Sequence, residues 1–305
     1  MRFGLILSAM LMAVPANAAL NVVASMPDYA ALAKAVGGDH VSVKALASES
    51  QDPHFVDAKP SYVLALNRAD LVVVNGLELE IGWIPSLLMQ ARNPKVVKGA
   101  IGYFDVGRVV KNILEVPTGT LDRSMGDIHP GGNPHYSHDP VRMLDVVDAL
   151  AQRMSQLDPA NAVDFEAGRL KTRSELEALI GLMQARFRSL PDKSRRVVEY
   201  HKGFAYLFDT LGIEVVTRIE PKPGVAPSPA HVARVVSLMK REGIRVVAQE
   251  NYTPTKVSKT IASITKSTHL ALPSGTRFEG GESYLAHIQV VMELLYDACK
   301  KGAGS

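Results

Sequence analysis

The sequence predicts an α/β protein with two lobes, each built on a parallel sheet, joined by a long rigid α-helix. Short apolar runs rich in β-branched residues alternate with helical patterns in both halves of the chain, as expected for parallel strands buried on both faces. A long, highly charged helical pattern separates the two halves. The chain has 305 residues, which is enough for two domains of ordinary size.

Eight short apolar runs predict the strands. They are Asn21–Met26, Val41–Ala47, Leu71–Asn75, Lys95–Lys98, Arg196–Tyr200, Glu214–Thr217, Arg245–Gln249 and His269–Leu272. Apolar residues at helical spacing predict the helices between them. These are Tyr29–Val36, Pro60–Arg68, Ile84–Ala91, Phe204–Leu211, Ala230–Arg241, Pro254–Ser267 and Tyr284–Lys300.

The middle of the chain predicts two consecutive helices without a strand. The first is Pro140–Leu157, and the second runs from Pro159, after the N-cap Asp158, to about residue 190, where Pro191 ends it. A helix of that length spans roughly 45 Å, which would connect one lobe to the other as a stiff strut. The alternative is a helix broken near Gly168, because glycine weakens a helix interior. The expected domains are residues 19–158, the connecting helix 159–190, and residues 191–305.

Residues 1–18 are expected to be a cleaved signal peptide. Arg2 supplies a positive charge, residues 5–14 are apolar, and Ala16-Asn-Ala18 fits the cleavage rule for small residues. The alternative is a membrane anchor, but the apolar run is well below the ~20 residues that a membrane span needs. The expected location is therefore the periplasm, an oxidising compartment.

The composition narrows the function further. The formal charge of +3, with lysines and arginines scattered, argues against nucleic acid as the main partner. The only cysteine is Cys299, which excludes an internal disulfide and predicts no lipid anchor at the cleavage site. Cys299 lies on an apolar helix stripe and is expected to be buried.

Four polar residues lie where ligands are expected in open α/β sheets, at the carboxyl ends of the strands. His54 follows the second predicted strand, and His135 lies in a glycine-rich loop before Asp139-Pro140, which begins a helix. His201 and Glu250 directly follow strands of the second half. Lobes that face each other would bring all four side chains together.

Three imidazoles and one carboxylate are a suitable first shell for a divalent transition metal. Each imidazole binds through one nitrogen and donates its other N–H to an acceptor, for which Asp52, Asp57 and Glu199 are candidates. His129 and His138, which flank His135, are expected to be solvated, His138 as a bystander near the entrance. The alternative is that both capture metal loosely.

Catalytic motifs are not found in the sequence. It contains no Gly-x-Ser-x-Gly, His-Glu-x-x-His or Gly-x-x-x-x-Gly-Lys-Ser/Thr pattern, which argues against an enzyme. A zinc-dependent hydrolase that uses the same three histidines remains the alternative class. An exported adhesin or metallochaperone is a third.

The mature chain resembles the zinc/manganese group of periplasmic solute-binding proteins of ABC transporters. The resemblance rests on Asp52-Pro-His-x-x-Asp57, on Leu71-Val-Val-Val-Asn-Gly76 with Glu80 and Trp83, on Asn133-Pro-His-Tyr-x-x-Asp-Pro140, and on Tyr200-His-Lys-x-Phe-x-Tyr206. It implies two (β/α)4 lobes joined by a long rigid helix, a metal buried between them, and delivery to a membrane permease.

One departure from the family pattern concerns the fourth ligand. Many members supply an aspartate in a Leu-Asp-Pro-Leu-Gly stretch, where this chain has Leu270-Ala-Leu-Pro-Ser-Gly275. Glu250 is the first candidate to replace that aspartate, Glu220 is the second, and water is the third. The alternative for Glu250 is a place behind a ligand, without a bond to the metal. The expected cargo is Zn²⁺, with Mn²⁺ as the alternative, because manganese prefers more oxygen ligands. The protein is expected to act as a monomer that docks on an ABC permease of the inner membrane.

Overall fold

The computed structural model describes residues 18–118 and 129–303. The expected signal peptide lies outside these residues, apart from Ala18. Within the described ranges, no helix is both long enough and apolar enough to cross a membrane.

Two four-stranded sheets form the centres of the two lobes, and every strand pair in them is parallel. The first sheet contains β1 (Leu20–Ala24), β2 (Val41–Ala45), β3 (Leu71–Val74) and β4 (Tyr103–Asp105). The second contains β5 (Arg196–Glu199), β6 (Glu214–Arg218), β7 (Val246–Glu250) and β8 (Thr268–Leu272). Their strand orders, β2-β1-β3-β4 and β6-β5-β7-β8, repeat one topology. The predicted two-lobed α/β fold is confirmed.

One predicted strand was wrong. Pro94–Val96, which overlaps the predicted strand Lys95–Lys98, forms a turn of 3-10 helix, and β4 lies further along the chain. The side chain of Asn93 accepts a hydrogen bond from the Lys95 N–H at 3.0 Å, which stabilises that turn. Val96 there is buried in the hydrophobic core and Val97 is 46% exposed, whereas β4 pairs with β3 through Tyr103–Asp105.

Nine α-helices lie in the described ranges. They are α1 (Pro27–Gly37), α2 (Pro60–Arg68), α3 (Ile84–Ala91), α4 (Pro140–Leu157), α5 (Ala162–Arg188), α6 (Ala205–Leu211), α7 (Pro229–Glu242), α8 (Lys256–Thr265) and α9 (Tyr284–Ala303). Five of them have proline in the first turn, where its missing N–H has no helical partner to lose. Asp139 caps α4 by accepting hydrogen bonds from the backbone of Val141 and Arg142.

The connecting helix α5 is continuous through Gly168, so the break considered there does not occur. Gly168 lies against α1, and a Cβ added to it would be 2.2 Å from the backbone oxygen of Val36. Near its other end, the Phe187 ring contacts Tyr296 of α9, with 5.6 Å between the ring centroids. The helix therefore packs on both lobes along a length of about 40 Å.

The lobes share one hydrophobic core. A single cluster of buried side chains includes Val22 of the first sheet, Val197 of the second and residues of α1, α4, α5 and α9. Cys299 is buried in it, as predicted. Polar contacts add to this connection: Thr276 donates two hydrogen bonds to Asp28, and Tyr284 donates one to the Ser137 carbonyl. Opening the lobes widely would expose apolar surface from this core, which favours small relative movements.

Candidate metal centre

Four imidazole rings meet where the carboxyl ends of the two sheets face each other. His54 lies in the loop after β2, His135 in the loop before α4, and His201 just after β5. The fourth is His129, from the same loop as His135. The three predicted histidines are therefore brought together, and the structure adds His129, which was expected to be solvated.

The rings lie in an arc. The ring centroids are 5.4 Å apart for His129 and His54, 5.2 Å for His54 and His135, and 5.0 Å for His135 and His201. The wider pairs are His54 with His201 at 6.3 Å and His129 with His135 at 6.4 Å. His54 and His135 thus occupy the middle of the arc, and His129 and His201 its ends.

Each ring has an oxygen acceptor at Nδ1. The partners are Asp52 Oδ1 for His54 at 2.7 Å, Asn133 Oδ1 for His135 at 2.8 Å, Glu220 Oε2 for His201 at 2.5 Å, and the Leu77 carbonyl for His129 at 3.0 Å. Since carboxylate, amide and carbonyl oxygens accept hydrogen bonds, Nδ1 carries the hydrogen in every ring. In the neutral rings, all four Nε2 atoms then present a lone pair, which is the tautomer a metal ligand needs.

None of the four Nε2 atoms accepts a hydrogen bond from a backbone N–H or a hydroxyl group of the described residues. Those of His135 and His201 are buried without a hydrogen-bond partner in the described residues. Those of His54 and His129 face each other at 3.3 Å. Buried polar atoms are rarely left without partners, so this concentration of free Nε2 atoms indicates a binding function.

The local hydrogen bonds fix two of these rings in place. Asp52 also accepts a hydrogen bond from the backbone N–H of His54 at 2.9 Å, and Trp83 Nε1 donates to the Pro53 carbonyl at 2.9 Å. Asn133 accepts from the backbone N–H of His135 at 2.9 Å. Short side chains that bind their own backbone two residues on form compact turns, which limit the freedom of the following ring.

The charge states of the rings differ. Burial and the neighbouring imidazoles lower the pKa of His135 well below its ordinary value, and burial lowers the pKa of His129 to about 4. Burial alone would also lower the pKa of His201, but the hydrogen bond to Glu220 and the charge of Glu250 outweigh it and raise that pKa. His129 and His135 are therefore neutral and able to bind a cation at neutral pH.

Glu250, the predicted fourth ligand, is the last residue of β7 and is fully buried. Neither of its carboxylate oxygens has a hydrogen-bond partner among the described residues, and burial raises its pKa. Its Oε1 lies against the backbone of Gly203, where an added Cβ would be only 1.9 Å away. In its ionised form, Glu250 helps to raise the pKa of His201.

Of the three predicted acceptors for the imidazoles, one contacts a ring and two do not. Asp52 is an acceptor for an imidazole, as predicted. Asp57 is exposed, and Glu199 instead accepts hydrogen bonds from the Phe204 backbone and from Arg218, so both were wrong as acceptors. Glu220 contacts Nδ1 of His201, which places it behind the ring rather than beside Nε2.

The expectation that His129 and His138 are solvated was wrong for both. His129 is 9% exposed and belongs to the arc, as described above. His138 is 4% exposed and packs on Phe204, with 4.8 Å between ring centroids, so it is neither solvated nor near an entrance. Spacing alone did not distinguish these residues, because it does not show which loop side chains turn inward.

The four rings lie close to the positions that the ligands of one metal ion would occupy, but they do not yet form a complete site. Within residues 18–118 and 129–303, no group of three or more His, Cys, Asp or Glu side chains already has the arrangement that would hold a metal ion. The shape of the arc explains this, because the rings of the wider pairs, His54–His201 and His129–His135, are too far apart for one ion. A tetrahedral zinc with four imidazoles would place every pair of ring centroids about 5 Å apart.

Comparison with known proteins identifies the family. Residues 22–298 match the model of the family described as zinc-uptake complex component A, periplasmic (ZnuA). A relative from Streptococcus cristatus, the metal ABC transporter substrate-binding lipoprotein ScbA, is 23% identical over 92% of this chain and 89% of its own. The manganese ABC transporter substrate-binding lipoprotein PsaA of Streptococcus pneumoniae is 23% identical over 81% of this chain and 77% of its own.

A crystal structure of ZnuA has the same fold. It superposes with a TM-score of 0.75 at 22% identity and covers 92% of this chain and 99% of that one. The members of the matched family are substrate-binding proteins of transporters and not enzymes, which removes the hydrolase alternative. They work with a membrane permease and an ATPase. The chain belongs to the ZnuA family of metal-binding, substrate-binding proteins of ABC transporters.

Proposed function

We propose that this protein captures Zn²⁺ in the periplasm and delivers it, as a monomer, to an ABC permease of the inner membrane. The observation that carries the proposal is the set of histidines His54, His135 and His201. In each ring, Nδ1–H donates a hydrogen bond to an oxygen, and the Nε2 lone pair is left available for a metal ion. Borderline metals such as zinc prefer this nitrogen-rich set.

The choice of zinc over manganese rests on the same donors. The matched family is described by zinc uptake, whereas PsaA is a manganese protein by its name, so relatives point both ways. Manganese favours oxygen donors and higher coordination numbers. In this chain, the carboxylates Asp52 and Glu220 are engaged with the Nδ1 atoms of the histidines, so the imidazoles outnumber the one remaining carboxylate, Glu250.

Capture and release are separate steps for such a carrier. The common core and the contacts of α5 with both lobes favour small shifts of the loops over wide opening. Docking on the permease would then release the ion by moving the loop of His54 or His135 against His201. We also propose that residues 1–18 are the export signal, which N-terminal sequencing of protein recovered from the periplasm would test.

The test is a titration of the metal-free mature protein with Zn²⁺ in the presence of a competing chelator. His135→Ala is expected to abolish tight binding and to leave the far-UV circular dichroism and thermal unfolding close to those of the unchanged protein. His40→Ala, at a surface histidine that pairs with Asp164, is the control and should bind zinc normally. If His135→Ala binds zinc as tightly as the control, the proposed site is wrong.

A further inference from the structure

The Nε2 atoms of His129 and His54 face each other, which is unfavourable for two neutral imidazoles. Their Nε2 atoms are 3.3 Å apart, and both Nδ1 atoms already hold their hydrogen against an oxygen, Asp52 for one ring and the Leu77 carbonyl for the other. When both rings are neutral, two lone pairs therefore face each other in a partly buried place. A cation between them converts this repulsion into coordination.

The distance also agrees with one shared ion. Two nitrogen ligands of a tetrahedral zinc with bonds of 2.0–2.1 Å lie about 3.3–3.4 Å apart. The ring pairs His129–His54, His54–His135 and His135–His201 have centroid distances of 5.4, 5.2 and 5.0 Å, which match such a shell. The wider pairs, at 6.3 and 6.4 Å, would need to close by roughly 1 Å, and the ends of the arc, His129 and His201, would need to approach each other as well.

We propose that His129 is the fourth ligand of the ion, so that an all-imidazole shell of His54, His129, His135 and His201 replaces the aspartate that many relatives use. This inference rests on the proposed function and defines its site more closely. His129 fills the role for which the sequence had suggested Glu250. The loop that carries His129 also carries His135, so one segment supplies two of the four donors.

Glu250 has a different role in this shell. Its Oε1 lies against the backbone of Gly203, whereas Nε2 of His129 already faces another ligand candidate at 3.3 Å. Four neutral imidazoles leave the two positive charges of the ion uncompensated. Asp52 and Glu220, each bonded to the outer nitrogen of a ligand, and the buried Glu250 supply that compensation without coordinating.

An all-nitrogen shell predicts selectivity for Zn²⁺ over Mn²⁺. Zinc accepts four imidazoles readily, but Mn²⁺ prefers oxygen donors. His129→Asp restores a carboxylate at the fourth position and is expected to raise the affinity for Mn²⁺ relative to Zn²⁺. His129→Ala is expected to lower zinc affinity by at least about 100-fold, since even the loss of an outer partner of a ligand typically costs 10–100-fold.

The decisive experiment uses Co²⁺ as a spectroscopic substitute for zinc in His129→Cys. A thiolate bound to Co²⁺ produces an intense charge-transfer absorption in the near ultraviolet, which requires a direct sulfur–metal bond. Pro130→Cys, at the exposed neighbouring position, is the matched control and should not show it. The unchanged protein should not show it either, because Cys299 is buried in the core away from the arc.

The outcomes separate this inference from the proposed function. A charge-transfer band in His129→Cys, with weakened zinc binding in His129→Ala and nearly unchanged binding in Glu250→Gln, supports the inference. Normal zinc binding in His129→Ala together with a large loss in Glu250→Gln overturns it and leaves the proposed function intact. Failure of the unchanged protein to bind Zn²⁺ or Co²⁺ would instead overturn the proposed function.

Discussion

The side-chain oxygen of Asn133 accepts two hydrogen bonds from His135, one from its backbone N–H at 2.9 Å and one from its ring Nδ1 at 2.8 Å. The amide nitrogen of Asn133 donates to the Lys202 carbonyl at 2.9 Å and to Glu115 at 3.3 Å. Glu115 in turn pairs with Lys202 and Arg218. One amide thus orients an imidazole of the first lobe and connects it to the second lobe beside His201.

We expect Asn133→Ala to lower zinc affinity by about 10–100-fold, because the Nδ1 hydrogen of His135 loses its acceptor and the ring loses its fixed tautomer. Asn133→Asp keeps the acceptor and is expected to retain most of the affinity. It loses the donor to Lys202 and places a carboxylate beside Glu115, so it should unfold at a lower temperature. Chelator competition and thermal unfolding measure the two effects, and equal affinity of Asn133→Ala and the unchanged protein would refute this role.

The pH dependence of zinc binding should report on Glu220. Its hydrogen bond and charge help to raise the pKa of His201 above the ordinary value despite burial. Zinc binds only the neutral ring, so affinity should fall as the pH drops through that raised pKa. In Glu220→Gln, protonation of His201 needs a lower pH, and the acid limb of the affinity profile should move to lower pH.

The same substitution makes His201 less basic, so affinity at about pH 8 should be lower than in the unchanged protein and the two curves should converge on acidification. A titration series between about pH 5 and pH 8 covers the range. Glu214→Gln, at a surface carboxylate that pairs with Arg196, is the control and should follow the unchanged protein. Parallel curves for Glu220→Gln and the unchanged protein would exclude this contribution of Glu220.

Two glycines of α5 give a matched test of how the connecting helix packs. A Cβ at Gly168 would approach the Val36 carbonyl oxygen to 2.2 Å, whereas a Cβ at Gly181 would meet no atom within 4 Å. Gly168→Ala is expected to reduce the free energy of unfolding by about 1–3 kcal/mol through overpacking. Gly181→Ala is expected to increase it by about 0.5–1 kcal/mol, because alanine is the better helix former. Urea unfolding monitored by circular dichroism measures both, and equal effects would show that α1 and α5 do not pack closely at Gly168.

The sequence by itself determined the fold class and three of the four histidines in the arc. Strands buried on both faces need continuous apolar, β-branched segments, so seven of the eight strands stood out from local composition. Proline and Asp139 marked the start of α4 for local reasons that hold in any surroundings. His54, His135 and His201 follow or precede such recognisable elements, and this made them visible.

The tertiary structure alone decided what depends on contacts between distant residues. β4 has three residues, and its position was fixed by pairing with β3 rather than by its own propensity. His129 and His138 lie in one short loop, yet one turns toward His54 and the other onto Phe204. Which way a loop side chain points is set by the partners that the other elements place around it. For that reason, the ring facing His54 could be found only once the loops of the first lobe were placed against each other.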